Sequence, residues 1–310
     1  MRKLFILTIV FLTGLGNTTQ AQQEAMYSQY MFNTLAVNPA YAGSRNLISA
    51  TGLLRSQWTG IDGAPRTTTF TIDAPIEDKR MGVGVQIFSD KIGITSTTGA
   101  FASYAYRIRM DKASLSFGLQ AGVSQYRADF SSVSLNYEGG SNDAAFQENT
   151  NKLMPNFGTG VYYNSDRFYI GLSAPQLLNN KFSGLKVEGD NSFAGKQAHF
   201  FLASGYVMPL GEDFSFKPSF LLKGVRGAPL AADFNGTLWI RNTIAFGAQY
   251  RTNAAFAGLL ELQVTPQVRL GYAYDYTTTS LKSYSGGSHE IMLRYEFGFE
   301  KGKVLSPRYF

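Results

Sequence analysis

The C-terminal third of the chain alternates with a period of two, and that period most narrowly restricts what it can become. In Val268 to Tyr276, the residues Val268, Leu270, Tyr272, Tyr274 and Tyr276 share one side of an extended chain, and Arg269, Gly271, Ala273 and Asp275 share the other. In His289 to Phe299, Ile291, Leu293, Tyr295, Phe297 and Phe299 oppose Glu290, Met292, Arg294, Glu296 and Gly298. In Ile244 to Arg251, Ile244, Phe246, Ala248 and Tyr250 oppose Ala245, Gly247, Gln249 and Arg251. Successive side chains of a strand point to opposite faces, so each segment reads as a strand with one apolar and one polar or small face.

A soluble sandwich and a membrane barrel both satisfy that pattern, and composition helps to separate them. Charged residues make up only 16% and aromatics 14%, with Phe (24) and Tyr (18) far ahead of Trp (2). Aromatic residues near strand ends suit the interfacial girdles of a barrel, and Arg269, Asp275, Glu290, Arg294 and Glu296 would line its wet lumen. No long apolar run follows the N-terminus, so no transmembrane helix is expected. A chain without one can span a bilayer only as a closed barrel, because hydrocarbon offers no partner for unpaired backbone groups.

The N-terminus has the layout of an export signal. Arg2 and Lys3 form a basic start, Leu4 to Leu15 an apolar core, and Thr19-Gln20-Ala21 a small-residue cleavage site, which places cleavage after Ala21. The apolar core is too short to serve as an anchor. No cysteine is present, which excludes structural disulfides, thiolate metal sites, a Cys nucleophile and a lipidated N-terminus. The net charge of +6 falls to about +4 without Arg2 and Lys3, and no basic run occurs, so nothing points to nucleic acid.

Fourteen strands are expected, at 46–58, 66–74, 81–89, 97–108, 113–126, 156–164, 167–174, 198–208, 214–224, 231–241, 244–251, 256–264, 268–276 and 289–299. The number is even, as in single-chain bacterial barrels. The connections alternate between short ones (109–112, 164–167, 209–213, 242–243, 265–267) and longer ones (59–65, 90–96, 127–155, 175–197, 225–230, 277–288), with 251–255 a short member of the second set. Short periplasmic turns and longer extracellular loops are what an outer-membrane barrel predicts, with both chain ends in the periplasm. The expected organisation is therefore a signal peptide (1–21), a periplasmic N-terminal segment (22–45), a transmembrane antiparallel all-β barrel (46–299) and a periplasmic tail (300–310). The loops at 127–155 and 175–197 would fold into the lumen or form an external cap.

Catalytic chemistry has little support. His199 and His289 are the two histidines, both near strand ends where a triad with Ser and a carboxylate is hard to build. Glu290 and Glu296 share a strand face with Arg294 between them, which suits a charged lining better than an acid–base pair. Asp143 and Asp190 lie in polar loops without Ca²⁺-ligand spacing. No phosphate-binding glycine loop stands between a strand and a helix. No cofactor and no metal is implied.

An ordered set of short motifs remains. Gln29-Tyr30-Met31-Phe32-Asn33 precedes Asn38-Pro39-Ala40-Tyr41-Ala42-Gly43-Ser44, then Arg55-Ser56-Gln57-Trp58 and Gly63-Ala64-Pro65-Arg66-Thr67. Gly171 to Leu178 and the terminal Ser306-Pro307-Arg308-Tyr309-Phe310 complete it. In this order the motifs resemble the PorP/SprF family of the Bacteroidetes type IX secretion system over the whole chain. The resemblance implies a non-enzymatic outer-membrane barrel that works with type IX components. Its expected task is export or surface anchoring of a particular cargo, such as an adhesin recognised through its C-terminal domain. It further implies a link to gliding in some bacteria and to periplasmic components that contact peptidoglycan.

Candidate partner-binding residues are Tyr30, Asn33, Asn38, Pro39, Tyr41, Gly43, Arg55, Gln57 and Trp58. Pro39 holds Asn38 extended, and Gly43 permits a tight turn before the first strand. That segment should lie at or inside the periplasmic mouth, and it reads either as a latch sealing the barrel base or as a plug or docking surface for a periplasmic partner. Trp58 reads as a girdle residue at a strand end or, with Arg55 and Gln57, as a lumen-side or rim contact with cargo in which Arg55 grips an acidic group. The competing functions are a passive pore or hydrophobic-solute transporter and, more remotely, a lipid hydrolase.

Overall fold

In a computed structural model, residues 26–45, 47–76, 80–132, 149–181, 195–225 and 228–297 are described. The expected signal peptide, the expected C-terminal tail and the centres of the two longest loops, with Asp143 and Asp190, lie outside them.

The strands are β1 (Ile48–Ser56), β2 (Arg66–Ile76), β3 (Met81–Ile92), β4 (Thr95–Arg109), β5 (Ala113–Ala128), β6 (Thr150–Ser165), β7 (Phe168–Ala174), a short ribbon of β8 (Asn180–Lys181) and β9 (Gly195–Lys196), β10 (His199–Tyr206), β11 (Met208–Leu210), β12 (Phe214–Val225), β13 (Ala231–Ile240), β14 (Ile244–Arg251), β15 (Ala255–Gln263), β16 (Val268–Thr277) and β17 (Ser288–Phe297). Each barrel strand pairs antiparallel with its sequence neighbours. β10 and β11 form one spanning strand interrupted at Val207, which gives fourteen in the wall. The sheet closes because β1 also pairs with β17, from Ile48↔Phe297 to Ser56↔His289. Closure leaves no sheet edge with unpaired backbone groups.

Burial is inverted relative to a soluble protein, and this decides between sandwich and barrel. Along β17, Ile291 (53% exposed) and Leu293 (50%) point outward, while Glu290 and Met292 are fully buried. Phe246, Leu270 and Tyr276 follow the same rule, with Asp275 and Gln249 inside. An apolar belt of this extent is stable against lipid and not against water. No helix among the described residues is long and apolar enough to cross a membrane.

One end of the barrel carries short turns. Arg241 and Asn242 (φ 48° and 52°) make one of them in the left-handed region. The other end carries the longer loops, with two exceptions. The 252–254 turn is short as expected. The expected longer loop at 90–96 is corrected: β3 and β4 run on to Ile92 and from Thr95, leaving Gly93-Ile94 as a two-residue turn with Gly93 at φ 55°. A glycine at positive φ lets a hairpin close this tightly, so pairing continued through residues that polarity alone marked as loop.

Candidate functional site: the lumenal plug

Residues 26–45 run through the inside of the barrel. The segment therefore extends through the lumen, well beyond the expected place at or inside the periplasmic mouth. The first described residue, Met26, lies with its sulfur 3.5 Å from Lys223 Nζ, two residues from the long-loop end of β12. The segment descends through three 3-10 turns, Tyr30–Phe32, Thr34–Ala36 and Pro39–Tyr41, to Arg45 at the short-turn end. The local sequence favours the last turn. Asn38 is extended (φ −141°, ψ 111°), as a residue before proline must be, and its Oδ1 accepts from Ala40 N at 2.9 Å as an N-cap.

The wall makes room for this segment with small residues. A Cβ on Gly82 would collide with the carbonyl of Ala42, and one on Gly118 with the backbone of Ala40. Gly43 (φ 65°) lies so close to β2 that its own Cβ would stand 2.7 Å from the Ala74 carbonyl oxygen. Apolar plug side chains fill what remains. Leu35, Ala40, Tyr41 and Ala42 pack with Ala105, Tyr162 and Tyr169, and Tyr30 and Val37 pack with Phe201 and Leu221. Tyr41 meets Tyr162 edge-on at 5.5 Å.

Polar anchors hold both ends of the plug. At the long-loop end, Arg55, Lys223 and Arg251 interleave with Asp233, Asp275 and Glu290. Arg55 reaches Asp275 at 2.6 Å and Glu290 at 2.9 Å; Arg251 and Lys223 reach Asp233 at 3.2 and 2.9 Å. The plug enters this network directly. Glu290 accepts from the backbone N–H groups of Ser28 (2.9 Å) and Gln29 (2.8 Å). The Ser28 hydroxyl donates to Asp275 and accepts from Arg55 at 3.0 Å. Buried charges are tolerable only when paired and hydrogen-bonded in this manner.

Side chains and carbonyls continue the anchoring along the segment. Thr71 donates to Asn33 Oδ1 (2.9 Å), Asn38 Nδ2 donates to the Val161 carbonyl (3.1 Å), and Ser173 donates to the Val37 carbonyl (2.7 Å). At the short-turn end, Gly43 N donates to Asp73 (2.8 Å), Arg107 donates to the Ala42 carbonyl (3.2 Å), and Arg45 pairs with Glu296 at 2.7 Å. Arg294 donates to Thr51 at 3.2 Å. Arg269 and Lys217 flank the Trp239 indole at 4.8 and 4.5 Å. The space left between plug and wall near Met31, Lys217, Asn235 and Trp239 is ≈ 30 Å³, about the volume that two waters need.

Most of the sequence-derived candidates are therefore committed internally. Tyr30, Asn33, Asn38, Pro39, Tyr41 and Gly43 all belong to the plug, and all are buried. The expectation that Arg55 grips a cargo carboxylate is corrected: its guanidinium is 2% exposed and occupied by Asp275 and Glu290. Gln57 and Trp58 lie beyond the end of β1, half-buried in the loop to β2, with Trp58 at an unusual φ of 45°. Arg269, Asp275, Glu290, Arg294 and Glu296 face the lumen. His199 is buried at a strand start, and His289 shares a 2.7 Å hydrogen bond with the Tyr272 hydroxyl. Sequence reading missed Asp233, Lys223 and Ser28. Each is an ordinary polar residue in its segment; Lys223 and Asp233 meet across the β12–β13 hairpin, and barrel closure brings Ser28 to them through Arg251.

A closed wall, an outward apolar belt and an ion-paired lumen define a transmembrane β-barrel of the outer-membrane type, with its own N-terminal segment as a plug. The family model "Type IX secretion system membrane protein PorP/SprF" matches residues 19–295, and the chain belongs to that family. A comparison with curated protein sequences found no match. Among solved structures, the Ralstonia pickettii toluene transporter TbuX is similar at a TM-score of 0.54 and 10% identity, with 86% of this chain and 93% of that one covered. The Acinetobacter baumannii outer membrane protein Omp33 aligns at a TM-score of 0.48 and 10% identity over 81% of this chain and 98% of that one. At such identities the likeness to TbuX concerns the fold alone.

Proposed function

We propose that this protein is a non-enzymatic outer-membrane component of the type IX secretion apparatus that assists export or surface anchoring of a specific cargo protein. In this reading the short turns face the periplasm and the long loops the cell exterior, after Sec export and removal of the signal peptide. The cargo is a surface protein, such as an adhesin, recognised through its C-terminal domain, with a connection to gliding where the organism glides. Type IX components and a periplasmic peptidoglycan-binding protein complete the expected partners.

The observation that carries the reading is the filled lumen. A barrel whose bore is occupied by largely buried, hydrogen-bonded chain is built to stay shut and to present its rims. The alternative, a passive pore or hydrophobic-solute transporter, rests on likeness of fold and has to move the plug first. Of the sequence-derived candidates, Gln57 and Trp58 stand in a loop at the rim, and they are the residues proposed to touch cargo.

Affinity capture of the tagged protein from gently solubilised outer membranes, with mass spectrometry of the retained proteins, tests this reading. Recovery of one large secreted protein with type IX components is the expected result. Recovery of the barrel alone in several detergents, together with steady conductance in planar bilayers, would establish the pore instead.

A further inference from the structure

The outer wall holds a groove that the plug and the lumen do not explain. Strand register places its lining in rows that cross β2 to β6. Just beyond the lining, at the groove's outer edge, stands a row of Arg66, Lys91, Ser96 and Arg127, each aligned with the next across adjacent strands. All three cations are exposed, on the outward face near the long-loop ends of their strands, and none has an ion-pair partner among the described residues. Arg66 and Lys91 stand directly opposite each other. Like charges in that position repel unless an anion joins them.

Two residues further into the belt, the next row is Thr68, Ser89, Thr98 and Gln125, a band of hydroxyls and an amide. The third is Phe70, Ile87, Ala100 and Val123. β4 contributes only small outward side chains here, Thr98 and Ala100, while Ile87 (52% exposed) and Leu153 (65%) rise on either side. The result is an open groove of ≈ 480 Å³ with β4 as its floor. From the rim inward its chemistry runs cationic, hydrogen-bonding, apolar. Neighbouring strands are about 4.8 Å apart, so the three cations span roughly 15 Å, the width of a lipid headgroup with more than one acidic group.

We propose that this groove binds a phosphorylated lipid of the leaflet at the long-loop end, with its phosphate on Arg66, Lys91 and Arg127 and an acyl chain along β4. The apolar belt already puts the groove in hydrocarbon, and the cation row lies where headgroups begin. Charge complementarity then selects an anionic lipid over a zwitterionic one.

Native mass spectrometry of the detergent-purified full chain, titrated with lipid A or with phosphatidylcholine, tests the assignment. Wild-type protein is expected to retain lipid A selectively. Replacing Arg66, Lys91 and Arg127 with Gln should weaken lipid A by about fivefold per cation and leave phosphatidylcholine unaffected. Ala100→Leu, which fills the floor without touching charge or lumen, should weaken lipid A while the cation row remains. Arg241→Gln at the opposite end is the control and should change nothing. Heat-modifiable mobility on gels reports the fold; if the triple variant fails it, Lys91→Gln alone carries the comparison. Equal binding of both lipids by all variants would overturn the proposal in favour of ordinary annular lipid. Displacement of lipid A by inorganic phosphate would reduce the site to an ion site. A co-purifying protein lost with Ala100→Leu would make the groove a protein contact.

Discussion

Ser28 donates its backbone N–H to the Glu290 carboxylate at 2.9 Å across 262 positions of sequence. Together with the adjacent Gln29 N–H at 2.8 Å, this bond pins the plug to the last strand of the barrel. The same carboxylate neutralises Arg55. Plug seating and charge balance in the wall are therefore one arrangement.

Glu290→Gln should disturb both at once. The amide keeps one acceptor oxygen, brings an unwanted donor towards Ser28 or Gln29, and leaves Arg55 short of charge. Breaking a buried ion pair by removing one partner costs about 3–5 kcal/mol. Chemical unfolding in detergent should record a loss of that order, and an unchanged midpoint would show that the network does not hold the plug.

Gly82→Val and Gly118→Val should expel the plug and spare the wall. Each added side chain occupies space that plug backbone now fills, at Ala42 and Ala40, while the strand pairing needs no glycine there. Planar bilayers containing either variant should conduct ions where wild-type protein is silent. Silence in both variants, with normal heat-modifiable mobility, would mean that the plug tolerates the clash.

Tyr41→Ala should remove a ring packed edge-on against Tyr162 and open a cavity between plug and wall. Burying a large aromatic and then truncating it costs about 3 kcal/mol. The expected result is lower thermal stability with the barrel still folded at growth temperature. A variant of full stability that has lost a periplasmic partner would instead make this segment a docking surface.

Asp213→Asn at the turn between β11 and β12 should have almost no effect. Its pair with Arg241 at 3.0 Å is 74% and 51% exposed on the two sides, and solvent-exposed pairs contribute about 0–1 kcal/mol. Measured in the same denaturation series as Glu290→Gln, it separates surface from lumenal electrostatics.

The wall was readable from local pattern because a strand's two faces are a period-two property. Leu293 and Tyr295 point out and Arg294 points in whatever their partners, and the expected segments coincide with wall strands to within a few residues except at β6, which begins at Thr150 and takes in residues 150–155 of the expected 127–155 loop. The 90–96 segment misled because Asp90, Lys91 and Ser96 look like loop, yet the residues there continue the pairing to Ile92 and Thr95. Arg55 misled for a different reason. One strand cannot reveal that Asp275 and Glu290, 220 and 235 residues away, will stand within 3 Å of it.

The sequence by itself determined the strand number, the outward apolar face, the charged inner face and the extended backbone before Pro39, all set within a few residues of chain. Only the tertiary structure decided that residues 26–45 fill the bore. That outcome depends on closure, which surrounds a single volume with strands from opposite ends of the chain. Gly82 and Gly118 then become clearance for a backbone, and Glu290 becomes an anchor for two N–H groups. Such roles belong to the enclosed space and to no single segment that lines it.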